Sequence, residues 1–318
     1  KGTTLSSVTA LSDAERIDEI ARMLAGDTVT EEATVTEDKP SLARNFFFSN
    51  TDCDSPNLIT LVSSTARSGS SFIAETLGHI ESSVLFFEPL SPIQDDRCML
   101  TSSCVSQYMK EIYDCTYSEQ LQRWQLYHFS EFFNEKTRNC PKDTPEIRRQ
   151  CLNSVDRRAS CKTSKVRIIK TIRAKLGMLI PLLESEEKLK IIHLYRDPRA
   201  SIYSICRNGL KRECNYEYHC GKVKDDIEIF DKLMKLFPGK LTQVVYDKFS
   251  ADPMKGTLDM FNFLYGSEEL PSNIVKYIQL HTNSTVSGFM STTKNSTATI
   301  EGWRSGMPLE RLQSIENN

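Results

Sequence analysis

No stretch of this chain approaches the roughly 20 consecutive apolar residues that span a bilayer, and it does not open on a signal-peptide pattern. It also lacks an excess of either charge, with 40 lysines and arginines against 42 aspartates and glutamates. That balance excludes the strongly basic surface of a general nucleic-acid binder. It leaves room for a local basic funnel around one anionic ligand. Histidine is scarce, five in 318 residues, and none of the five reads as part of a metal-ligand set. No Cys-x-x-Cys pair occurs, which excludes a zinc ribbon or a thioredoxin-like redox site. Cysteine itself is plentiful. The ten residues, Cys53, Cys98, Cys104, Cys115, Cys140, Cys151, Cys161, Cys206, Cys214 and Cys220, form an even set suited to disulfides in an oxidising compartment. Those within 95–162 are expected to pair mainly with one another.

The most informative stretch is residues 58–78, L-I-T-L-V-S-S-T-A-R-S-G-S-S-F-I-A-E-T-L-G. Leu58–Val62 has the length and β-branched content of a buried strand. Ser63–Ser71 is a small-residue turn, and Phe72, Ile73 and Leu77 then recur at helical spacing. A strand, tight loop and helix start aim several backbone N–H groups at one point, where the helix dipole favours an anion. Arg67 adds a permanent forked charge, and Ser68, Ser70 and Ser71 add hydroxyls around Gly69. The loop is not a Walker A motif, because it has a single glycine and no lysine. Serine and glycine also dominate ordinary turns, so this segment alone does not decide the function.

A second segment, residues 189–209, repeats the design. Ile191, Ile192, Leu194 and Tyr195 read as a buried strand. Asp197 followed by Pro198 is an N-cap with proline at the first helical position. Arg196 therefore stands where strand meets helix, and Ser204 lies about two turns in.

With these two segments in hand, a resemblance can be stated. T-A-R-S-G-S-S-F resembles the 5′-phosphosulfate loop of Golgi carbohydrate sulfotransferases, and R-D-P-R-A-S-I-Y-S resembles their 3′-phosphate motif. F-F-E-P-L at 86–90, between them, resembles the family's F-E-P segment. The nearest group sulfates the 6-hydroxyl of Gal, GalNAc or GlcNAc, and the likeness runs over roughly residues 57–312. It implies PAPS as sulfuryl donor, PAP as product, a glycan, glycoprotein or proteoglycan as acceptor, and no metal. Donor contacts are implied for Arg67, Ser68, Gly69, Ser70, Ser71, Phe72, Arg196 and Ser204. The late segment G-F-M-S-T-T-K-N-S-T-A-T-I-E-G-W-R resembles the family's closing loop and adds Lys294 and Arg304. Family members carry an N-terminal signal anchor. The chain is therefore expected to be a luminal Golgi fragment of a type II membrane protein, compatible with a homodimer. Sequons at Asn283 and Asn295 agree with a luminal setting.

Sulfuryl transfer needs a base for the acceptor hydroxyl and cations for the leaving phosphate. Glu88 ends a short strand, pinned by Pro89, and the F-E-P glutamate is the base that the resemblance implies. Lys170 ends V-R-I-I-K on the sheet edge where α/β proteins bind ligands. With Arg67 it could flank the bridging oxygen, and Arg173 competes for that role. His193 is an alternative base but reads as a packed strand residue. Competing functions are a tyrosylprotein sulfotransferase, a P-loop nucleotide-binding protein and a lectin-like module without activity.

Residues 1–56 read as stem or linker, with a weak amphipathic helix at Leu11–Leu24, and 57–318 as the catalytic domain. Strands are expected at 58–62, 84–87, 166–169, 190–195 and 241–246, separated by helices, one of them at 175–184. The fold class is then α/β, a P-loop-like parallel sheet flanked by helices, with a disulfide-rich helical insertion at about 95–162. Acceptor specificity is expected in that insertion and in the late loop.

Overall fold

A computed structural model describes residues 55–207, 214–282 and 301–317, together with Asp18. The expected stem helix, both sequons, Cys53 and Lys294 lie outside the described residues. Five strands form one parallel sheet: β1 (Asn57–Ser63), β2 (Ser83–Phe87), β3 (Val166–Thr171), β4 (Leu189–Tyr195) and β5 (Leu241–Val245), in the order β2-β3-β1-β4-β5. β1 is central and apolar, as a parallel strand covered on both faces must be. Its side chains alternate: Ile59 and Leu61 enter one core with Ile73, Leu77, Ile192 and Phe261, while Leu58 and Val62 enter the other with Ile112, Leu183 and Leu233.

The helices that matter for the site are α1 (Ser70–Gly78), α2 (Ser102–Tyr113), α3 (Pro198–Arg207), α4 (Tyr216–Leu236) and α5 (Pro253–Tyr265). α5 follows its sequence signals closely. Asp252 accepts from the Lys255 N–H, Pro253 opens the helix, and Gly266 closes it in the left-handed conformation. The segment expected as a helix over 175–184 divides into a 3₁₀ turn at Leu176–Leu179 and an α-helix at Ile180–Ser185. Pro181 lacks an N–H and suits a first helical turn, so the α-helix begins beside it rather than earlier.

β2 is an edge strand, yet all five of its residues are buried. The insertion covers it: the Leu85 N–H donates to the Phe133 carbonyl at 2.7 Å. Phe86 meets Tyr117 and Phe133 edge-on, and Phe87 lies against Phe129 and Phe132. A covered edge cannot recruit a foreign strand. The six cysteines of the insertion pair among themselves, as Cys98–Cys104, Cys115–Cys161 and Cys140–Cys151, and Cys206–Cys214 is the fourth bridge. Cys220 is a free thiol. Among the described residues no helix is long and apolar enough to cross a membrane.

Candidate active site

Every strand of a parallel sheet ends at the same edge, so the residues just past each strand converge there. Arg67 follows β1, Glu88 follows β2, Lys170 to Arg173 close β3, Arg196 follows β4, and Tyr246 and Asp247 follow β5. The site is thus assembled by topology from segments far apart in sequence.

Over β1, β4 and β5 lies an arginine-lined loop. Arg67 takes the left-handed conformation, φ 59°, and Gly69 does so again at φ 83°. A Cβ on Gly69 would stand 1.8 Å from the Tyr246 ring, so only glycine satisfies both the turn and the approach. No side chain caps α1, which starts one residue later, in contrast to α5 with its aspartate. Its N-terminal N–H groups and dipole therefore suit an anion. The Arg67 Nε donates to Ser204 Oγ at 3.2 Å, joining the first loop to α3. The Arg196 Nη1 donates to the Arg67 carbonyl at 3.1 Å, and its guanidinium lies 5.0 Å from the Tyr246 ring centre. Asp247 orients this corner. It stands 3.7 Å from the Arg196 Nε and accepts from the Asp197 N–H at 2.9 Å. Burial, and next the Arg196 charge, lower the Arg67 pKa. Two crowded guanidiniums favour an incoming anion.

Over β2 and β3 the arrangement is different. Register pairs Phe87 with Lys170, so Glu88 lands beside the end of β3, and its N–H donates to the Lys170 carbonyl at 2.8 Å. Glu88 is itself left-handed, φ 52°, an uncommon state for a residue with a side chain. Its buried carboxylate accepts from Lys170 Nζ on one oxygen. The other oxygen accepts from Arg173 Nη1 and, at 3.4 Å, from the Ile172 N–H. Arg173 reaches on to Gln94 Oε1 at 2.9 Å. Lys170 also lies 4.6 Å from the Phe87 ring centre. The Lys170 pKa is lowered, first by burial and further by the Arg173 and Arg67 charges, against the raising effect of Glu88.

Beneath the arginine-lined loop runs a buried polar chain. His193, wholly enclosed in β4, meets Gln243 at Nδ1 (3.2 Å) and Ser64 Oγ at Nε2 (2.8 Å). Gln243 donating to Nδ1 leaves the proton on Nε2, facing Ser64. Burial, with the Lys222 charge behind it, pushes the His193 pKa down to about 3. Enclosed and held at both nitrogens, His193 is a neutral core group.

Of the sequence-predicted residues, the fold brings together Arg67, Gly69, Arg196 and Ser204 in one half and Glu88, Lys170 and Arg173 in the other. Ser68 is buried, its hydroxyl 2.6 Å from Ser63 Oγ inside the loop, and the Phe72 ring packs against Phe249 and Tyr277. These two serve the loop's shape through side chains that point inward. Ser70 is buried and Ser71 half-buried at the helix start. Arg304 pairs with Glu301 at 2.7 Å and stacks on Trp303, which Arg199 covers from its own side. Tyr246, Asp247 and Gln94 were not singled out by sequence. The first two carried one usable signal, since they immediately follow the last parallel strand and so had to lie at the ligand edge.

A profile of the sulfotransferase domain family matches residues 59–317. Human carbohydrate sulfotransferase 3 is 25% identical over 181 residues, an alignment that spans 49% of this chain and 37% of that protein's length. Among solved structures, the sulfotransferase domain from the Synechococcus PCC 7002 olefin synthase aligns at 18% identity over 85% of this chain and 97% of that one, with a TM-score of 0.40. The sulfotransferase domain from the curacin biosynthetic pathway aligns at 16% identity over 82% and 96%, with a TM-score of 0.43.

Proposed function

The chain belongs to the sulfotransferase domain family, and from that membership we propose that it moves a sulfuryl group from PAPS to a sugar hydroxyl, the 6-hydroxyl of Gal, GalNAc or GlcNAc in a glycan, within the secretory lumen. The observation that carries this reading is the meeting, at one sheet edge, of an anion cradle and a buried carboxylate flanked by Lys170. The cradle's donor set fits a phosphate: two guanidiniums, the Ser204 hydroxyl and an uncapped helix start. Arg67 and the α1 N-terminus would hold the 5′-phosphosulfate, and Arg196 and Ser204 the 3′-phosphate. PAPS supplies the sulfuryl group and leaves as PAP.

Glu88 takes the proton of the acceptor hydroxyl as its oxygen attacks. Lys170, between Glu88 and the cradle, offsets charge on the leaving phosphate together with Arg67. Four disulfides support a luminal setting, and the likeness to a carbohydrate sulfotransferase supports a sugar acceptor. The test is incubation with radiolabelled PAPS and panels of Gal-, GalNAc- and GlcNAc-bearing glycans, alongside tyrosine peptides. Label on a sugar 6-hydroxyl is the expected result. Label on tyrosine alone, or on neither panel from folded protein that binds PAP, would overturn the acceptor assignment.

A further inference from the structure

Two ionisable residues of α4 have no part in the chemistry above, yet both lie deep in the fold. Lys222 and Asp226 stand one helical turn apart and face the segment that follows β3. The Lys222 Nζ donates to the Ile172 carbonyl at 2.8 Å, and Asp226 Oδ1 accepts from the Leu176 N–H at 2.8 Å. The two bonds hold the first and last residues of a five-residue strap, 172–176. That strap carries two of the groups on Glu88: the Ile172 N–H and the Arg173 guanidinium. Ile172 is thus held at both of its backbone groups, its N–H by Glu88 and its carbonyl by Lys222.

We propose that Lys222 and Asp226 are positioning residues, a clamp that fixes the 172–176 strap and through it the Glu88 carboxylate. The inference rests on the reading of Glu88 as the base. Both side chains are almost fully enclosed, at 5% and 0% exposure. Burying charged groups is a poor route to stability, because desolvation cancels most of the Coulomb gain. A core built for stability alone would place apolar residues here. Instead, each charge is directed at a backbone group of the strap. Burial raises the Asp226 pKa, opposed first by the Lys222 charge and then by the Leu176 N–H that Asp226 holds. Lys222 faces Asp226, Glu88, Lys175 and Arg173. The clamp therefore links α4, through the 172–176 strap, to the carboxylate of the acceptor half.

The experiment compares wild type with Lys222→Met and with the isosteric Asp226→Asn, the second guarding against a Lys222 variant that fails to fold. Three quantities are read: hydrogen exchange of the 172–176 amides, PAP affinity by calorimetry, and kcat with its KM values. Displacement of a catalytic group by an ångström can cost about 10²-fold. The expected result is kcat lower by roughly 10–100-fold, with PAP affinity and the KM for PAPS nearly unchanged and exchange of the strap markedly faster. Exchange at 172–176 that matches wild type, or a kcat that does, overturns the clamp. If wild type itself moves no sulfuryl group, the proposed function falls, while the exchange data still decide whether α4 holds the strap.

Discussion

Over β1, β4 and β5 the site gathers guanidiniums and backbone N–H groups around a loop, with one carboxylate, Asp247, set back at 3.7 Å from Arg196. Over β2 and β3 it gathers a carboxylate and two cations that neutralise one another in direct contact. In the first half, burial and then the neighbouring Arg196 charge lower the Arg67 pKa. The second half is compensated from within. Its carboxylate is already met by Lys170, Arg173 and the Ile172 N–H before any acceptor arrives. The proposed anion cradle and the proposed base have opposite requirements, and the division between them falls between β3 and β1. Lys170 is the member that faces both ways, bonded to Glu88 and close enough to Arg67 to sense its charge.

The largest test of this division is Glu88→Gln. Loss of a general base costs about 10²–10⁴-fold in turnover. PAP affinity is expected to hold, because the donor half is built without Glu88. The internal compensation adds a second consequence. Removing one partner of a buried ion pair costs about 3–5 kcal/mol, so the variant should also unfold earlier, Lys170 being left without its carboxylate. Turnover per folded molecule separates the two effects. Turnover near wild type in the folded fraction would make Glu88 a structural anchor.

Arg196→Ala strikes the other half. Hydrogen bonds to charged groups are worth about 1.5–3 kcal/mol. PAP affinity measured by calorimetry should therefore fall by roughly 10–150-fold, and fold stability should fall as well, since buried Arg196 pairs with Asp247 and bonds the Arg67 carbonyl. Equal PAP affinity in both proteins would remove Arg196 from the donor half.

What could be read from sequence follows the same line. The donor half is contiguous: Arg67 and Gly69 share a loop, Arg196 and Ser204 share a strand–helix junction, and each junction has turn and cap chemistry that local rules decode. The sheet was legible because parallel strands buried on both faces are short apolar runs. The acceptor half was legible only as separate residues. Glu88 and Lys170 lie far apart in the chain, and nothing local says that Phe87 and Lys170 share a register. Lys222 and Asp226 were invisible for a related reason. On a helix written K-V-K-D-D-I-E they look like solvated charges, and only the packing of α4 against the 172–176 strap buries them. Tyr246 belongs in this group too, its meaning supplied by the gap at Gly69.

The smallest expected effect concerns the floor beneath the donor half. The His193 imidazole is neutral in the fold, its pKa pushed down to about 3 from 6.5. In the unfolded chain it takes a proton near its ordinary value. Its contribution to stability is therefore complete above about pH 6.5 and drains away as the pH falls toward about 3. At pH 5 the loss from this one group is about 2 kcal/mol. His193→Asn can still meet Ser64 but does not titrate. Urea unfolding at pH 7 and pH 5 should show wild type losing about 2 kcal/mol more than the variant over that interval, with every carboxylate common to both proteins cancelling in the difference. Equal losses would mean that His193 is protonated in the fold. It would then be open to solvent or to a nearby carboxylate, and the floor beneath the donor half would be a titrating element.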